Sequence, residues 1–235
     1  MSGNARGLFV TGTDTEVGKT HAAAMIARRL VADGTRVGVY KPLASGCIQQ
    51  GAELTSEDAV ALWQAAGRPD DLHRVCPQRF AAPIAPHLAA RAEGKSIDRA
   101  LLRTGLDYWR PRCEVLLVEG AGGLLSPADV GPYYMSDLAR ECGFPLVVVA
   151  RNALGVINHA LLTLRAAESA GLEVAALVLN QIDASDQDSS IASNADELRS
   201  RCDVPVFCEV RPHGSEFLPS VDWNAVARAS RPPRA

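Results

Sequence analysis

Leu8-Phe9-Val10-Thr11-Gly12-Thr13-Asp14-Thr15-Glu16-Val17-Gly18-Lys19-Thr20 is an apolar run that passes into a glycine-bounded polar loop and ends in Gly-Lys-Thr. Ala22 to Leu30 follows, Ala-rich and apolar enough for a helix. Strand, glycine loop, Gly-Lys-Thr and helix in that order make a phosphate cradle. The loop's N–H groups and the positive end of the helix converge on one spot and stabilise an anion there. In such a cradle Lys19 reaches the outer phosphates and the Thr20 hydroxyl holds a divalent metal. The loop is one residue longer than the usual G-x-x-x-x-G-K-[ST] spacing: five residues separate Gly12 from Gly18. It carries Thr13, Asp14, Thr15 and Glu16, more polar side chains than phosphate binding requires. That surplus points to a second ligand lying against the phosphates.

Outward from this stretch, elements alternate. Asp33-Gly34 stops the first helix, and Arg36 to Tyr40 reads as a second strand that runs into Lys41-Pro42-Leu43-Ala44-Ser45-Gly46. A Lys at the carboxyl end of a strand, before a Pro/Ser/Gly loop, sits where open α/β sheets bind ligands; a solvated Lys on a connection is the plain alternative. Thr55 and Asp58 have capping-box spacing at the start of a helix through Trp63, so Asp58 reads first as a helix-start acid. Pro77 to Pro86 is irregular, and helices are expected over His87–Ala92 and Ile97–Trp109.

Cys113 to Val118 reads as a buried strand that ends in Glu119 and a glycine loop, Gly120-Ala121-Gly122-Gly123. A strand-end acid near the Lys-Thr commonly helps hold Mg²⁺ in P-loop proteins; the plain alternative is that Glu119 caps the glycine turn. Further strands are expected over Pro145–Ala150, Val174–Leu179 and Val204–Val210. A helix is expected from Gly155 to Ala170, and another includes Asp196 to Arg201. This alternation predicts an α/β fold: a single domain over 1–235, with a mainly parallel central sheet and helices on both faces. Residues 1–6 and about 230–235 are expected to be loose tails.

Composition narrows the function classes. Hydrophobic residues are 47% and aromatics 5%, which suits Val/Leu strands under Ala-rich helices. A net charge of −3 gives no general attraction to nucleic acid or an acidic membrane. No run of about 18 apolar residues exists to span a bilayer. The polar, short stretch Met1–Gly7 does not read as a signal peptide. The six cysteines form no C-x-x-C pair and read as reduced thiols of a cytoplasmic protein. No serine occupies a G-x-S-x-G elbow, which excludes that hydrolase class.

Four stretches together resemble the ATP-dependent dethiobiotin synthetase family: residues 12–20 (Gly-Thr-Asp-Thr-Glu-Val-Gly-Lys-Thr), 40–46 (Tyr-Lys-Pro-Leu-Ala-Ser-Gly), 118–124 (Val-Glu-Gly-Ala-Gly-Gly-Leu) and 154–163 (Leu-Gly-Val-Ile-Asn-His-Ala-Leu-Leu-Thr). They run in the family order within about Leu8 to Val210, and the long phosphate loop is itself a family trait. The resemblance implies a P-loop NTPase-like fold. It also implies an enzyme that closes a ureido ring on 7,8-diaminononanoate with CO₂ and ATP, using Mg²⁺, as a cytoplasmic homodimer in biotin biosynthesis.

By the same resemblance, Lys41, Lys19 and Thr15 are catalytic, and Thr20, Asp58 and Glu119 hold the metal. Thr15, Lys41 and Ser45 face the diamine or carbamate. Gly155, Val156 and Asn158 bind the diamine's carboxylate, from the neighbouring subunit. The nucleotide is held by Glu16, Val17, Gly18, Lys19 and Thr20, with Asp58 and Glu119, by Gly120, Ala121 and Gly122, and at its base end by Asn180, Gln181, Arg211, Pro212 and His213. Two departures stand out. Ala85-Pro86-His87 lacks the family's serine, and Cys208-Glu209-Val210-Arg211-Pro212 replaces strand-then-Gly-Glu-Ile-Pro, which leaves base preference open.

Two other classes compete. Asn180-Gln181-Ile182-Asp183 has the N-x-x-D spacing of guanine-reading switch proteins, but Glu119-Gly120-Ala121-Gly122 replaces the Asp-x-x-Gly such a switch needs. A partitioning ATPase carries a second Lys early in its phosphate loop, where this chain has Asp14.

Overall fold

The computed structural model describes residues 5–182 and 188–229. Six strands form the central sheet: β1 (Arg6–Gly12), β2 (Val37–Tyr40), β7 (Val115–Gly123), β8 (Leu146–Arg151), β9 (Val174–Asn180) and β10 (Val206–Val210). Small ladders join β3 (Leu43–Ala44) to β6 (Gln78–Arg79) and β4 (Ile48–Gln50) to β5 (Glu53–Thr55). The helices are α1 (Lys19–Ala32), α2 (Glu57–Ala65), α3 (Leu72–Val75), α4 (Pro86–Ala92), α5 (Arg99–Trp109), α6 (Met135–Cys142), α7 (Val156–Ser169), α8 (Ile191–Arg199) and α9 (Trp223–Val226). β11 (Arg228–Ala229) closes antiparallel on the start of β1.

The sheet order is β10-β9-β8-β1-β7-β2, and each of these neighbours pairs in parallel. Successive strand residues point to opposite faces. Leu8 to Val10 and Leu146 to Ala150 are nevertheless buried at every position, so helices cover both faces. From β1 the chain first builds one side with β2 and β7, then the other with β8, β9 and β10. β1 therefore lies at the topological switch point, where the carboxyl ends of the strands open a crevice for ligands. The β1–β7 register slips between Val10 and Gly12, where the chain leaves the sheet for the loop 13–18.

Several boundaries differ from the sequence reading. β7 does not end at Glu119; pairing continues through the glycines to Gly123. The helix expected to include Asp196 to Arg201 runs from Ile191 and stops at Arg199, two residues short. α5 begins at Arg99, after Asp98 accepts the Leu101 N–H, rather than at Ile97. Ser56 rather than Thr55 caps α2, its Oγ accepting the Ala59 N–H, and Thr55 ends β5. Asp58 is thereby freed from a capping role.

Candidate active site

The loops leaving β1, β2, β7, β9 and β10 meet at the carboxyl edge of the sheet around a cavity of about 640 Å³. Its floor is the phosphate loop. Gly18 stands at φ 88°, a left-handed conformation that favours glycine. A Cβ there would lie 2.0 Å from Asn180 Nδ2, so Gly18 also admits the end of β9 against the loop. That close approach lets Asn180 Nδ2 donate to the Val17 carbonyl at 3.0 Å. Glu16 stands at φ 58° and is exposed. Asp14 bridges the loop twice: its carboxylate accepts the Thr15 N–H at 2.7 Å, and its carbonyl accepts from Lys19 Nζ at 2.8 Å.

Lys41 is positioned by the segment that follows it. Its N–H donates to Val75 O, and β3 pairs with β6, so the 41–47 loop is anchored along the 75–82 chain. Its side chain is 4% exposed and its Nζ lies 2.6 Å from Glu119 Oε1 and 3.0 Å from Asp58 Oδ2. Thr20 Oγ1 donates to the same Glu119 oxygen at 2.8 Å. Two segments distant in sequence, α1 and the end of β2, thus converge on one carboxylate of β7, with Asp58 of α2 completing the group. Asp58, read first as a cap, pairs instead with Lys41, its half-exposed side chain reaching across to the ammonium.

Charges in this cluster are mutually dependent. Burial opposes the Lys41 ammonium, but Glu119 and Asp58 beside it outweigh burial and hold its pKa above the ordinary lysine value. Burial likewise opposes charge on Asp58, yet the charge of Lys41 and its hydrogen bond keep the Asp58 carboxyl below the usual carboxylate range. Lys19 shifts downward, mainly through burial and with repulsion from Lys41 adding to it, against the pull of Glu119, Asp58 and Asp14. Two lysines therefore face one cavity, one drawn tightly into acids and one beside the phosphate loop.

Glu119 is 1% exposed, and its second oxygen, Oε2, is buried without a hydrogen-bond partner. An orphaned buried carboxylate oxygen is costly unless something binds it. With the Thr20 hydroxyl and Asp58 close by, the donor set is all oxygen. That suits Mg²⁺, which needs only one or two carboxylates because it keeps several waters. Among the described residues no group of three His, Cys, Asp or Glu gathers as a metal cluster; the donor set here is two carboxylates and a hydroxyl.

Of the other anticipated residues, Thr15, Glu16, Ser45, Ala121, Gly122 and Asn180 line the same cavity, as do Gln181, Arg211 and His213. Val17 and Gly120 lie buried behind it, and Pro212 is not part of its wall. Asp183, the acid of the N-x-x-D reading, falls outside the described residues. Gly155, Val156 and Asn158 do not line the cavity. Gly155 (φ 94°), rather than a side chain, starts α7; Asn158 sits inside the helix, exposed, and is not its cap. The sequence reading missed His21, which lines the cavity and whose Nε2 lies 3.0 Å from Gly214 O. Its partner is 193 positions away, so no local spacing announces the pair. No helix among the described residues is long and apolar enough to cross a membrane.

Comparison with known proteins finds relatives over most of the chain. A family model described as an AAA domain matches residues 6–215. The ATP-dependent dethiobiotin synthetase BioD of Rhodopirellula baltica is 46% identical over 217 residues, covering 86% of this chain and 83% of that protein. The protein of the same name from Bacillus subtilis is 37% identical, covering 86% and 85%. Among solved structures, the cell division protein FtsY of Thermotoga maritima superposes with a TM-score of 0.53 at 15% identity, over 95% of this chain and 67% of that one. That likeness concerns the fold alone.

Proposed function

This chain belongs to the ATP-dependent dethiobiotin synthetase family, and we propose that it closes the ureido ring of 7,8-diaminononanoate with CO₂ and ATP in the cavity just described. The observation that carries this reading is the meeting of Lys19, Lys41, Thr20, Asp58 and Glu119 from four chain segments at the end of the phosphate loop. One amine of the substrate takes up CO₂ to form a carbamate. A carbamate oxygen attacks the γ-phosphorus and ADP leaves; the second amine then attacks the carbonyl carbon and phosphate departs. Two anions must approach each other in the second of these events. Lys19 and Lys41 offset their repulsion and stabilise charge that builds up on the transferring group. Thr15 and Ser45, which line the same cavity, orient the carbamate and amines, and the loop amides from Glu16 to Thr20 hold the triphosphate. Ala121 and Gly122 border the nucleotide, with Gly120 buried behind them, and the base lies towards Asn180, Gln181 and the turn that carries Arg211 and His213. Phosphate release measured with and without diamine and bicarbonate tests the reading. Release that needs both supports it, and release indifferent to the diamine refutes it.

Mg²⁺ fits Thr20, Asp58 and Glu119 and, when bound, would neutralise charge on the phosphates. Asp58→Asn should raise the Mg²⁺ concentration for half-maximal rate by at least about ten-fold, one charge-assisted contact being worth roughly 1.5–3 kcal/mol. The fold should persist, because Ser56 rather than Asp58 caps α2. An unchanged metal requirement would remove Asp58 from the site.

The diamine's far carboxylate lies about 8–10 Å from its amines by extended-chain reach, and the Gly155–Asn158 helix start is the anticipated anion site. Asn158 is exposed outside its own chain's cavity, and Leu162 (60% exposed) stands one turn after it on the same face of α7. Leu154 (83% exposed) lies just before the helix start, so the turn presents a polar group beside exposed apolar side chains, the kind of surface that pairs with another. The reading is a cytoplasmic homodimer in which that turn completes the partner's site. Asn158→Ala should raise the diamine KM by about ten-fold with little change for ATP. Mixing Lys41→Ala subunits with subunits crippled at Gly155–Asn158 should restore part of the activity. Verified heterodimers without recovery would show that each chain completes its own site.

A further inference from the structure

Thr20 and His21 are consecutive on the first turn of α1 and point to opposite sides of the crevice. Thr20 reaches across to Glu119 of β7; His21 reaches the other way, to the turn after β10 at the far edge of the sheet. There Gly214 N–H closes on Arg211 O at 2.8 Å, and His213 stands at φ 54°, an uncommon left-handed conformation for a side-chain-bearing residue. Arg211 and His213 form the cavity wall opposite the metal site. The turn leaves β10, an edge strand, and its outgoing chain returns to pair Glu209 with Leu218. His21 Nε2 ties this turn directly to the helix that follows the phosphate loop.

We propose that His21 is a positioning residue for nucleotide selection: its Nε2–H, donated to the Gly214 carbonyl, fixes the base-end wall at a set distance from the phosphate loop. A nucleoside triphosphate is held at both ends. With its phosphates pinned by Lys19 and the loop amides, the base meets the wall formed by Arg211 and His213 only where their turn is held. A fixed wall rewards the base whose edge matches it and penalises others by leaving polar groups unpaired. A wall free to shift accepts several bases weakly. This role is assigned to a residue that touches neither the reacting phosphorus nor the metal cluster, and it rests on the ATP-dependent reading above.

Two substitutions separate the hydrogen bond from the ring. His21→Phe keeps the bulk and removes the N–H; His21→Gln removes the ring and keeps an N–H donor at similar reach. Equilibrium binding of ATP, GTP and CTP with Mg²⁺ is measured for each, with turnover at saturating ATP alongside. His21→Phe should bind ATP about five-fold more weakly, as one lost hydrogen bond implies. Its preference for ATP over the other two should narrow, with kcat and the diamine KM unchanged. His21→Gln should retain most of the affinity and the preference. Wild-type affinity and preference in His21→Phe would overturn the proposal, as would equal losses in both variants, which would make the ring the cause. A wild-type chain that binds no nucleotide would overturn the functional reading together with this one, whereas intact ATP binding with an indifferent His21→Phe overturns only the latch.

Discussion

Lys41→Ala should lower turnover at least about 10³-fold while ATP still binds, because a cation lost from a transferring phosphoryl group costs on that order. Lys41 is the group best placed to distinguish chemistry from nucleotide binding. The phosphate loop, Lys19 and Thr20 belong to β1 and α1, and none of them depends on Lys41 for its position. Lys41 is anchored separately, by its N–H on Val75 and by Glu119 and Asp58 at its tip. Removing its side chain also leaves two acids facing each other without a lysine between them. Mg²⁺ binding should therefore survive and ATP affinity should change little, with the loss falling on kcat. Pre-steady-state phosphate release with saturating diamine, bicarbonate and Mg-ATP checks this. Near-normal release would take Lys41 out of the chemistry.

The second large effect belongs to Glu119. Its side chain is buried, and it accepts hydrogen bonds from Lys41 and Thr20 on one oxygen while the other has no protein partner. Glu119→Gln removes the charge but keeps the shape. Lys41 then retains only the half-exposed Asp58 as counter-charge, and a buried pair broken from one side costs about 3–5 kcal/mol. The denaturant midpoint should fall accordingly. Activity should fall at least about 10²-fold, since the metal position and the lysine anchor go together. Chemical denaturation and turnover, measured on the same preparation with and without Mg²⁺, test both halves. A stable, active Glu119→Gln enzyme would mean that neither the ion pair nor the metal depends on this residue.

Much of the fold was legible because its signals are local. The Gly-Lys-Thr loop, the apolar runs at Leu8, Val115, Leu146 and Val174, and the Ala-rich helices each announce themselves within a few residues, and their alternation implies a parallel sheet. Asp58 was harder. Its capping-box spacing was real, yet a neighbouring Ser56 took the cap, because a hydroxyl one residue later meets the Ala59 N–H. Only the tertiary approach of α2 to the end of β2 shows that Asp58 faces Lys41. The α6 helix, Met135 to Cys142, went unanticipated; it follows a loop of Ser, Pro, Asp and Gly, and its apolar face shows only once it packs on β7. His21 could not be singled out at all, since its meaning lies in a carbonyl contributed by the other end of the chain. What sequence pattern reveals is chemistry built within one loop; chemistry shared between loops emerges when the strand order brings their ends together.

In the proposed function, Lys19, Lys41, Thr20, Asp58 and Glu119 form one site in which a carbamate meets the γ-phosphate. The most direct measurement supplies ¹³C-bicarbonate, diaminononanoate and Mg-ATP, and follows labelled carbon into product by mass spectrometry alongside ADP. One labelled carbon and one ADP per ureido ring are expected from the wild-type chain, with both lost together in Lys41→Ala. ADP formed at the same rate without diamine, or label incorporated without ADP, would contradict it.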